Sequence, residues 1–184
     1  MKIIAANESG FCFGVERAVN LAMAAAAEHG RVFTYGELMH NEDAVDDLKE
    51  KGVLPVDSVE GLKAGDVLVI RSHGAPPEIY KLCEAMKIVV VDATCPFVRR
   101  IHQVVSNQYK KGHIIIIAGE KKHPEVIGIN GWCEDSAYFV KTADELKALP
   151  DGFKNVCLVA QTTFSVEAYK AIAEEMKRRF CDVD

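Results

Sequence analysis

The sequence predicts an α/β protein made of two similar lobes of mostly parallel sheet flanked by helices. Three observations favour this class: short apolar segments alternate with amphipathic ones, several of the short segments are almost entirely apolar, and the alternation continues along the whole chain. Strands that are apolar on both faces are typical of parallel sheets covered by helices on both sides. With 184 residues, 49% of them hydrophobic, the chain is long enough to bury a core.

The first half of the chain is predicted to hold four strands and three helices. Glycines end the first two helices, and prolines open the third. The predicted elements are, in order, strand Lys2–Ala6, helix Val15–Glu28, strand Val32–Tyr35, helix Asn41–Lys51, strand Val67–Arg71, helix Pro76–Met86 and strand Ile88–Asp92.

The second half repeats the alternation. Its predicted elements are helix Pro96–Lys111, strand His113–Ala118, a short helix from Pro124, strand Ala137–Val140, a helical segment Thr142–Ala148 that Thr142 and Glu145 would cap, strand Asn155–Ala160 and helix Ser165–Phe180. No Gly/Ser/Pro linker interrupts the chain, and we expect the boundary between the lobes near Cys95, where one strand–loop–helix repeat closes and a new helix begins. The lobes would then span 1–95 and 96–184, with residues 1–12 forming a strand and loop that can lie outside the first lobe.

Charge and hydropathy exclude several classes of protein. The net charge is −5, which gives no general attraction to nucleic acid or to anionic lipid. The longest apolar segments are strand-sized, far below the roughly 20 residues that cross a bilayer. The first residues lack the pattern of a signal or transit peptide. We therefore expect a cytoplasmic protein with neither a membrane nor a nucleic acid as partner.

Two of the six cysteines stand at unusual positions. Cys12 lies between Gly10 and Gly14 immediately before a predicted helix, and Cys95 precedes Pro96 at the start of another. A helix N-terminus favours the thiolate, and thiolates are the soft ligands that iron–sulfur clusters require. The pattern alone is equally compatible with a catalytic cysteine or with no function. The remaining cysteines are compatible with buried apolar positions.

Three histidines, His40, His73 and His123, follow predicted strand ends, where open α/β sheets bind ligands. Imidazole N–H groups and helix N-termini suit an anionic phosphate. Zinc is the competing interpretation, but no histidine or cysteine pair has the usual zinc spacing. The other three histidines are predicted to be solvated polar residues: His29, His102 and His113.

Two further segments carry groups suited to the same ligand. Glu125, two residues after His123, can serve as a general acid or can simply complement the helix dipole. Residues 161–163, Gln-Thr-Thr, can offer amide and hydroxyl groups or can only cap the last helix.

Five segments together resemble the LytB/IspH family of 4-hydroxy-3-methylbut-2-enyl diphosphate reductases. They are Gly10–Ala18, Arg71–Ala75, Asp92–Pro96, Gly119–Glu125 and Gln161–Thr163, in order over essentially the whole chain. The resemblance implies the last step of the non-mevalonate isoprenoid pathway. In that step an allylic diphosphate is reductively dehydroxylated to isopentenyl and dimethylallyl diphosphate, with electrons from a ferredoxin or flavodoxin.

The resemblance also implies residue roles. A 4Fe-4S cluster would lie among the lobes, with Cys12 and Cys95 as two of its three cysteine ligands. Glu125 would deliver the proton with which the substrate hydroxyl leaves as water. The diphosphate and the hydroxyl would be bound by His40, His73, His123 and Thr162.

The family pattern continues into a third lobe with the third cysteine and a Ser-x-Asn stretch, which this sequence lacks. It ends at residues 181–184, and Cys181 follows a predicted helix without a motif around it. We expect this chain to be the first two lobes of a longer enzyme, inactive alone, with the third ligand beyond Asp184. Two alternatives are a non-catalytic diphosphate-binding α/β module without a cluster and a thiol-dependent hydrolase that uses Cys12.

Overall fold

A computed structural model describes residues 4, 10–39 and 41–183 of the chain. The helices in this part are α1 Phe13–His29, α2 Glu42–Glu50, α3 Pro77–Met86, α4 Pro96–Lys110, α5 Pro124–Gly131 and α6 Val166–Arg179, together with a 3₁₀ helix Asp144–Ala148. The strands are β1 Val32–Tyr35, β2 Val53–Val56, β3 Val67–Ile70, β4 Val89–Asp92, β5 Ile114–Ala118, β6 Tyr138–Val140, β7 Lys154–Ala160 and β8 Cys181–Val183. No helix within these residues is long and apolar enough to cross a membrane.

The strands form two four-stranded sheets with the same strand order. The first sheet runs β2-β1-β3-β4 and the second β6-β5-β7-β8, and every neighbouring pair is parallel. The predicted α/β class with two similar parallel sheets is therefore confirmed. Helix α4 begins at Pro96 and packs on β5 and β7 of the second sheet. We accordingly propose the boundary between the lobes at residues 95 and 96.

The central strands are apolar on both faces because each sheet is covered on both sides. Successive side chains of a strand point to opposite faces. In β3, Val67 and Val69 pack with the alanines of α1, whereas Leu68 and Ile70 pack with Cys83 of α3. The same alternation divides the isoleucines of β5 between two buried clusters. The parallel pairing of these strands places their carboxyl ends at one edge of each sheet.

Two short edge strands were missed by the sequence analysis. Pro55 lies within β2, where an edge position tolerates a residue without a backbone N–H. Cys181, which follows the predicted last helix, begins β8 and lies opposite Lys154 of β7. Segments of three or four residues with one proline or one aspartate carry too little periodicity to be recognised. The predicted strand Lys2–Ala6 lies outside the described residues except for Ile4.

The two lobes meet where the β3–α3 loop, residues 71–76, packs against α4 and α5. The Trp132 indole N–H donates to the Ala75 carbonyl at 3.2 Å, and the His102 ring stacks on Trp132 with centroids 5.3 Å apart. His102 is only 3% exposed, so its predicted solvated position is wrong. Val98, His102 and Val105 share the buried face of α4, a spacing of four and three residues that is typical of a helix packed on a core. His29, in contrast, is exposed as predicted.

Burial lowers the pKa of His102 from 6.5 to about 4, because the charged imidazolium would be poorly solvated. Between these values the unfolded chain binds a proton that the folded protein does not, so the free energy of unfolding falls as the pH falls. We expect His102 to contribute a loss of about 3 kcal/mol between pH 7 and pH 4. Urea unfolding at a series of pH values measures this loss, and His102→Gln should reduce it.

The matched control is His29→Gln, which removes an exposed imidazole and should retain the wild-type pH dependence. The comparison uses the slope against pH, because His102→Gln also loses the stacking on Trp132 and is less stable at every pH. Identical pH dependence in His102→Gln and in the wild-type protein would contradict the expectation.

Candidate functional site

A cavity of about 530 Å³ lies beyond the carboxyl ends of β3, β4, β5 and β7. Parallel strands place the loops that follow them at the same edge of a sheet, where ligands of open α/β folds bind. Six of the seven site residues predicted from the sequence line this cavity: Cys12, His73, Cys95, His123, Glu125 and Thr162. The seventh, His40, lies outside the described residues.

The two cysteine thiols converge at one end of the cavity. Cys12 is the N-cap of α1 and Cys95 the N-cap of α4, and neither side chain caps its helix. A Cβ atom added to Gly14 would lie 3.0 Å from the Cys95 Sγ and 4.0 Å from the Cys12 Sγ. The two sulfur atoms are therefore within about 7 Å of each other. Gly14 permits this approach because it has no side chain.

The loop that carries Cys95 is fixed by contacts from the first lobe. The Thr94 N–H donates to Asp92 Oδ1 at 2.9 Å, and the Arg17 guanidinium of α1 donates to the Thr94 carbonyl at 3.3 Å. The Cys95 N–H donates to the Ser72 carbonyl at 3.0 Å. The Arg17 contact links α1, which follows Cys12, to the residue before Cys95. Apart from its place in the N-terminal motif, nothing in the sequence indicates this role of Arg17.

At the other end of the cavity, Thr162 holds the carboxylate of Glu125. The Thr162 backbone N–H donates to one Glu125 oxygen and the Thr162 hydroxyl to the other, both at 2.7 Å. Glu125 is 2% exposed, whereas Thr162 is exposed at the cavity wall. Because a buried carboxylate needs hydrogen-bond donors, this pair of bonds accounts for its position. Both residues line the cavity, and the Thr162 hydroxyl contacts the buried acid there.

His123 is oriented by the helix that it caps. Its Nδ1 accepts a hydrogen bond from the Glu125 N–H at 3.1 Å, so the neutral ring carries its proton on Nε2. The His73 ring meets the His123 ring edge to face, with centroids 5.4 Å apart. Imidazole donors beside the N-terminus of α5 form a site suited to an anion such as a phosphate.

Three other cysteines differ from Cys12 and Cys95 in their surroundings. Cys83, Cys133 and Cys157 are buried in the cores of the lobes. Burial raises the pKa of the Cys83 and Cys133 thiols, which disfavours the thiolate that a metal requires. The prediction that most of the cysteines fill apolar positions therefore agrees with the structure for these three.

The thiols fit part of an iron–sulfur ligand set. Cys12 and Cys95 are exposed or half-buried, face one space and stand at helix N-termini, as cluster ligands do. Within residues 4, 10–39 and 41–183, no three His, Cys, Asp or Glu side chains are grouped so that they could hold a metal ion. The described part of the chain therefore offers two candidate cluster thiols rather than a complete set of three.

These features define a class of α/β protein in which two thiols and a set of anion-binding donors face one cavity at the ends of parallel strands. The chain belongs to the LytB protein family, whose model matches residues 3–184. The family resemblance noted from the sequence is thus confirmed.

The curated relatives are 4-hydroxy-3-methylbut-2-enyl diphosphate reductases. The chain is 43% identical over 183 residues to the reductase of Caldanaerobacter subterraneus subsp. tengcongensis, covering 97% of this chain and 63% of the relative. It is 42% identical over 185 residues to that of Clostridioides difficile, covering all of this chain and 66% of the relative. The chain thus spans slightly less than two thirds of the length of these two relatives.

Solved structures show the same fold. The reductase of Plasmodium falciparum superimposes with a TM-score of 0.86 at 26% identity, over 95% of this chain and 57% of that one. A second structure, of the reductase described as the terminal enzyme of the non-mevalonate pathway, gives a TM-score of 0.83 at 38% identity. It covers 99% of this chain and 66% of its own.

We expect Thr162→Val to lower the free energy of unfolding by about 1–3 kcal/mol at pH 7, because one oxygen of the buried Glu125 carboxylate loses its donor. Urea unfolding measures the effect. The control is Thr163→Val at the adjacent exposed position, where the hydroxyl only accepts from the Gln161 amide. A loss in Thr162→Val no larger than in Thr163→Val would show that the Glu125 contact does not stabilise the fold.

Proposed function

We propose that this chain supplies the diphosphate site, the proton donor and two cluster ligands of a 4-hydroxy-3-methylbut-2-enyl diphosphate reductase. The observation that carries the proposal is the shared cavity, which brings the Cys12 and Cys95 thiols to the same space as the Glu125–Thr162 pair. The substrate is inferred from the names of the relatives. The reaction removes the substrate hydroxyl as water and yields isopentenyl and dimethylallyl diphosphate.

The histidines bind the diphosphate end of the substrate in this proposal. Nε2 of His123 is a donor because Nδ1 is already occupied by the Glu125 N–H. His73 adds a second ring at the same place, and His40 is proposed as the third although it lies outside the described residues. Fixed donors that converge in one cavity bind a multiply charged anion even though the whole protein is acidic.

Glu125 and Thr162 deliver the proton to the departing hydroxyl. When Glu125 carries a proton, the hydrogen bond that Thr162 donates in the structure is reversed: the Glu125 proton moves to the Thr162 oxygen while the Thr162 hydroxyl proton passes to the substrate oxygen, so Thr162 is unchanged at the end. The carbon–oxygen bond then breaks, water leaves, and a second proton taken up at carbon completes the two-electron, two-proton reduction. A cluster held by Cys12, Cys95 and the third cysteine would pass the two electrons to the substrate from the external electron donor. Thr162 serves as the intermediary in this proposal because it is exposed at the cavity and bonded to Glu125, which is almost fully buried.

Several parts of the proposed enzyme come from outside this chain. We propose that the third cysteine belongs to a further segment of the enzyme. This segment would correspond to the part of the relatives, about one third of their length, that the chain does not span. The electron donor, a ferredoxin or a flavodoxin, and the cytoplasmic location are likewise proposals.

The test joins residues 1–184 to the unmatched part of the Caldanaerobacter reductase and purifies the chimera without oxygen. We expect a brown protein that converts the hydroxy-diphosphate substrate when supplied with a chemical reductant. Cys12→Ser should lose the colour. Glu125→Gln should keep the colour and lose turnover about 10²-fold to 10⁴-fold, the usual contribution of a general acid.

Cys83→Ser is the matched control for Cys12→Ser, because Cys83 is a buried thiol of the first lobe away from the cavity. It should retain both colour and activity. Full turnover in Glu125→Gln would refute the assignment of the proton donor. Wild-type colour in Cys12→Ser would refute the assignment of that ligand.

A second candidate function is a diphosphate-binding module that has no cluster. The observation in its favour is that the described residues hold no group of three metal-binding side chains. It predicts that the iron-free 184-residue chain binds inorganic diphosphate and that His123→Gln abolishes the binding, as measured by titration calorimetry. The chimera separates the two candidates, because a module without a cluster would give a colourless, inactive protein.

A further inference from the structure

We infer that Gly131 and Trp132, at the end of α5, are positioning residues that set the distance between His73 and His123. The inference rests on the proposed function, in which these two histidines bind one diphosphate. Neither residue lines the cavity, and both lie at the junction of the lobes. They would act through the β3–α3 loop, which carries His73.

The first contact is the close approach of Gly131 to this loop. A Cβ atom on Gly131 would lie 2.5 Å from the Cβ and 3.0 Å from the Cα of Pro76. The second distance is to backbone, which cannot move aside as a flexible side chain can. The end of α5 therefore rests directly on the loop, and any larger residue at 131 would push the two apart.

Trp132 contacts the same loop at Ala75, the residue next to Pro76. The indole N–H donates to the Ala75 carbonyl at 3.2 Å, and the ring stacks on His102 of α4. His102 in turn occupies the space where a side chain of Gly74 would be, and Gly74 has a φ of +75° that favours glycine. The loop is thus enclosed by α4, α5 and the Trp132 ring, and its position follows theirs.

Helix α5 contacts the loop along its length and also carries the second histidine. His123 caps the start of the helix and contacts the His73 ring. In the middle of the helix, a Cβ atom added to Gly128 would lie 3.4 Å from the His73 carbonyl oxygen. At its end, Gly131 contacts Pro76. An eight-residue helix is a rigid segment of about 12 Å, so a shift at its end moves its start relative to the loop. The spacing of the two histidines thereby depends on the Gly131 contact.

This spacing matters because both rings must reach one anion at the same time. Donors that are displaced by about 1 Å no longer meet the ligand in the geometry that the site provides. The junction contacts would therefore affect ligand binding as well as stability. A residue with only a structural role would change the unfolding temperature without changing the affinity of the folded protein.

The experiment compares Gly131→Ala with Gly128→Ala in the 184-residue chain. Both replace a glycine of α5 by the best helix former, so intrinsic helix propensity changes in the same direction. They differ in the space available, since the added Cβ clashes at 131 and makes an ordinary contact at 128. The measurements are the NMR signals and mutual NOE of the His73 and His123 rings, and the Kd for inorganic diphosphate well below the unfolding temperature.

We expect Gly131→Ala to shift the signals of both rings, to weaken their NOE and to raise the Kd at least about tenfold. Gly128→Ala should keep the wild-type ring signals and a Kd within about twofold of wild type. Wild-type signals and affinity in a folded Gly131→Ala protein would overturn the inference.

Two further comparisons cover the cases in which diphosphate does not bind or the variant does not fold. If neither the wild-type chain nor the wild-type chimera binds diphosphate, the proposed function of the histidines fails, whereas the ring signals of the two alanine variants still decide the positioning role. If Gly131→Ala does not fold, Trp132→Phe takes its place, because it keeps an aromatic ring and removes only the donor to Ala75. Unchanged ring signals in that variant would also overturn the inference.

Discussion

The site depends on a constraint of parallel sheets, which is that all strands of a sheet end at the same edge. The two sheets present the ends of β3, β4, β5 and β7 to one cavity, and each of these strands is followed within five residues by a candidate site residue. The loops need not be long, because the direction of the strands has already brought them together. Burial of the central strands on both faces holds this arrangement, since a slip of one residue would exchange two buried apolar faces and shift every loop.

The thiol end and the anion end of the cavity are connected through the chain itself. Ser72 accepts from the Cys95 N–H, and the next residue is His73. The β3–α3 loop therefore contacts a cluster-ligand candidate on one side and a diphosphate-ligand candidate on the other. His73 lies in the first lobe and His123 in the second, so an anion bound by both would also strengthen the contact between the lobes. Geometry at the two ends of the cavity cannot change independently.

Local signals in the sequence were sufficient for most elements but not for the packing between them. Strand β1 has the predicted bounds, and α4 begins at Pro96 as proline placement indicates. Strand β8 is not predicted, since three residues are too few to show a hydrophobic periodicity. The motifs identified the cavity residues, but their distances follow from long-range packing. The prediction that His102 is solvated is wrong. It follows the polar character of histidine, whereas the four-residue spacing from Val98 on α4 indicates the buried face of the helix.

The junction shows why some of the molecule has no local signature. Helix α5 contains two glycines among eight residues, each less favourable for a helix than alanine by about 1 kcal/mol. Considered alone, this segment is a poor helix, and its stability must come from what it packs against. The Gly131 contact with Pro76 requires the absence of a side chain, so helix propensity and close packing oppose each other at this position. Packing prevails, and the result is a helix whose start holds His123 and Glu125 while its end rests on the loop of the other lobe.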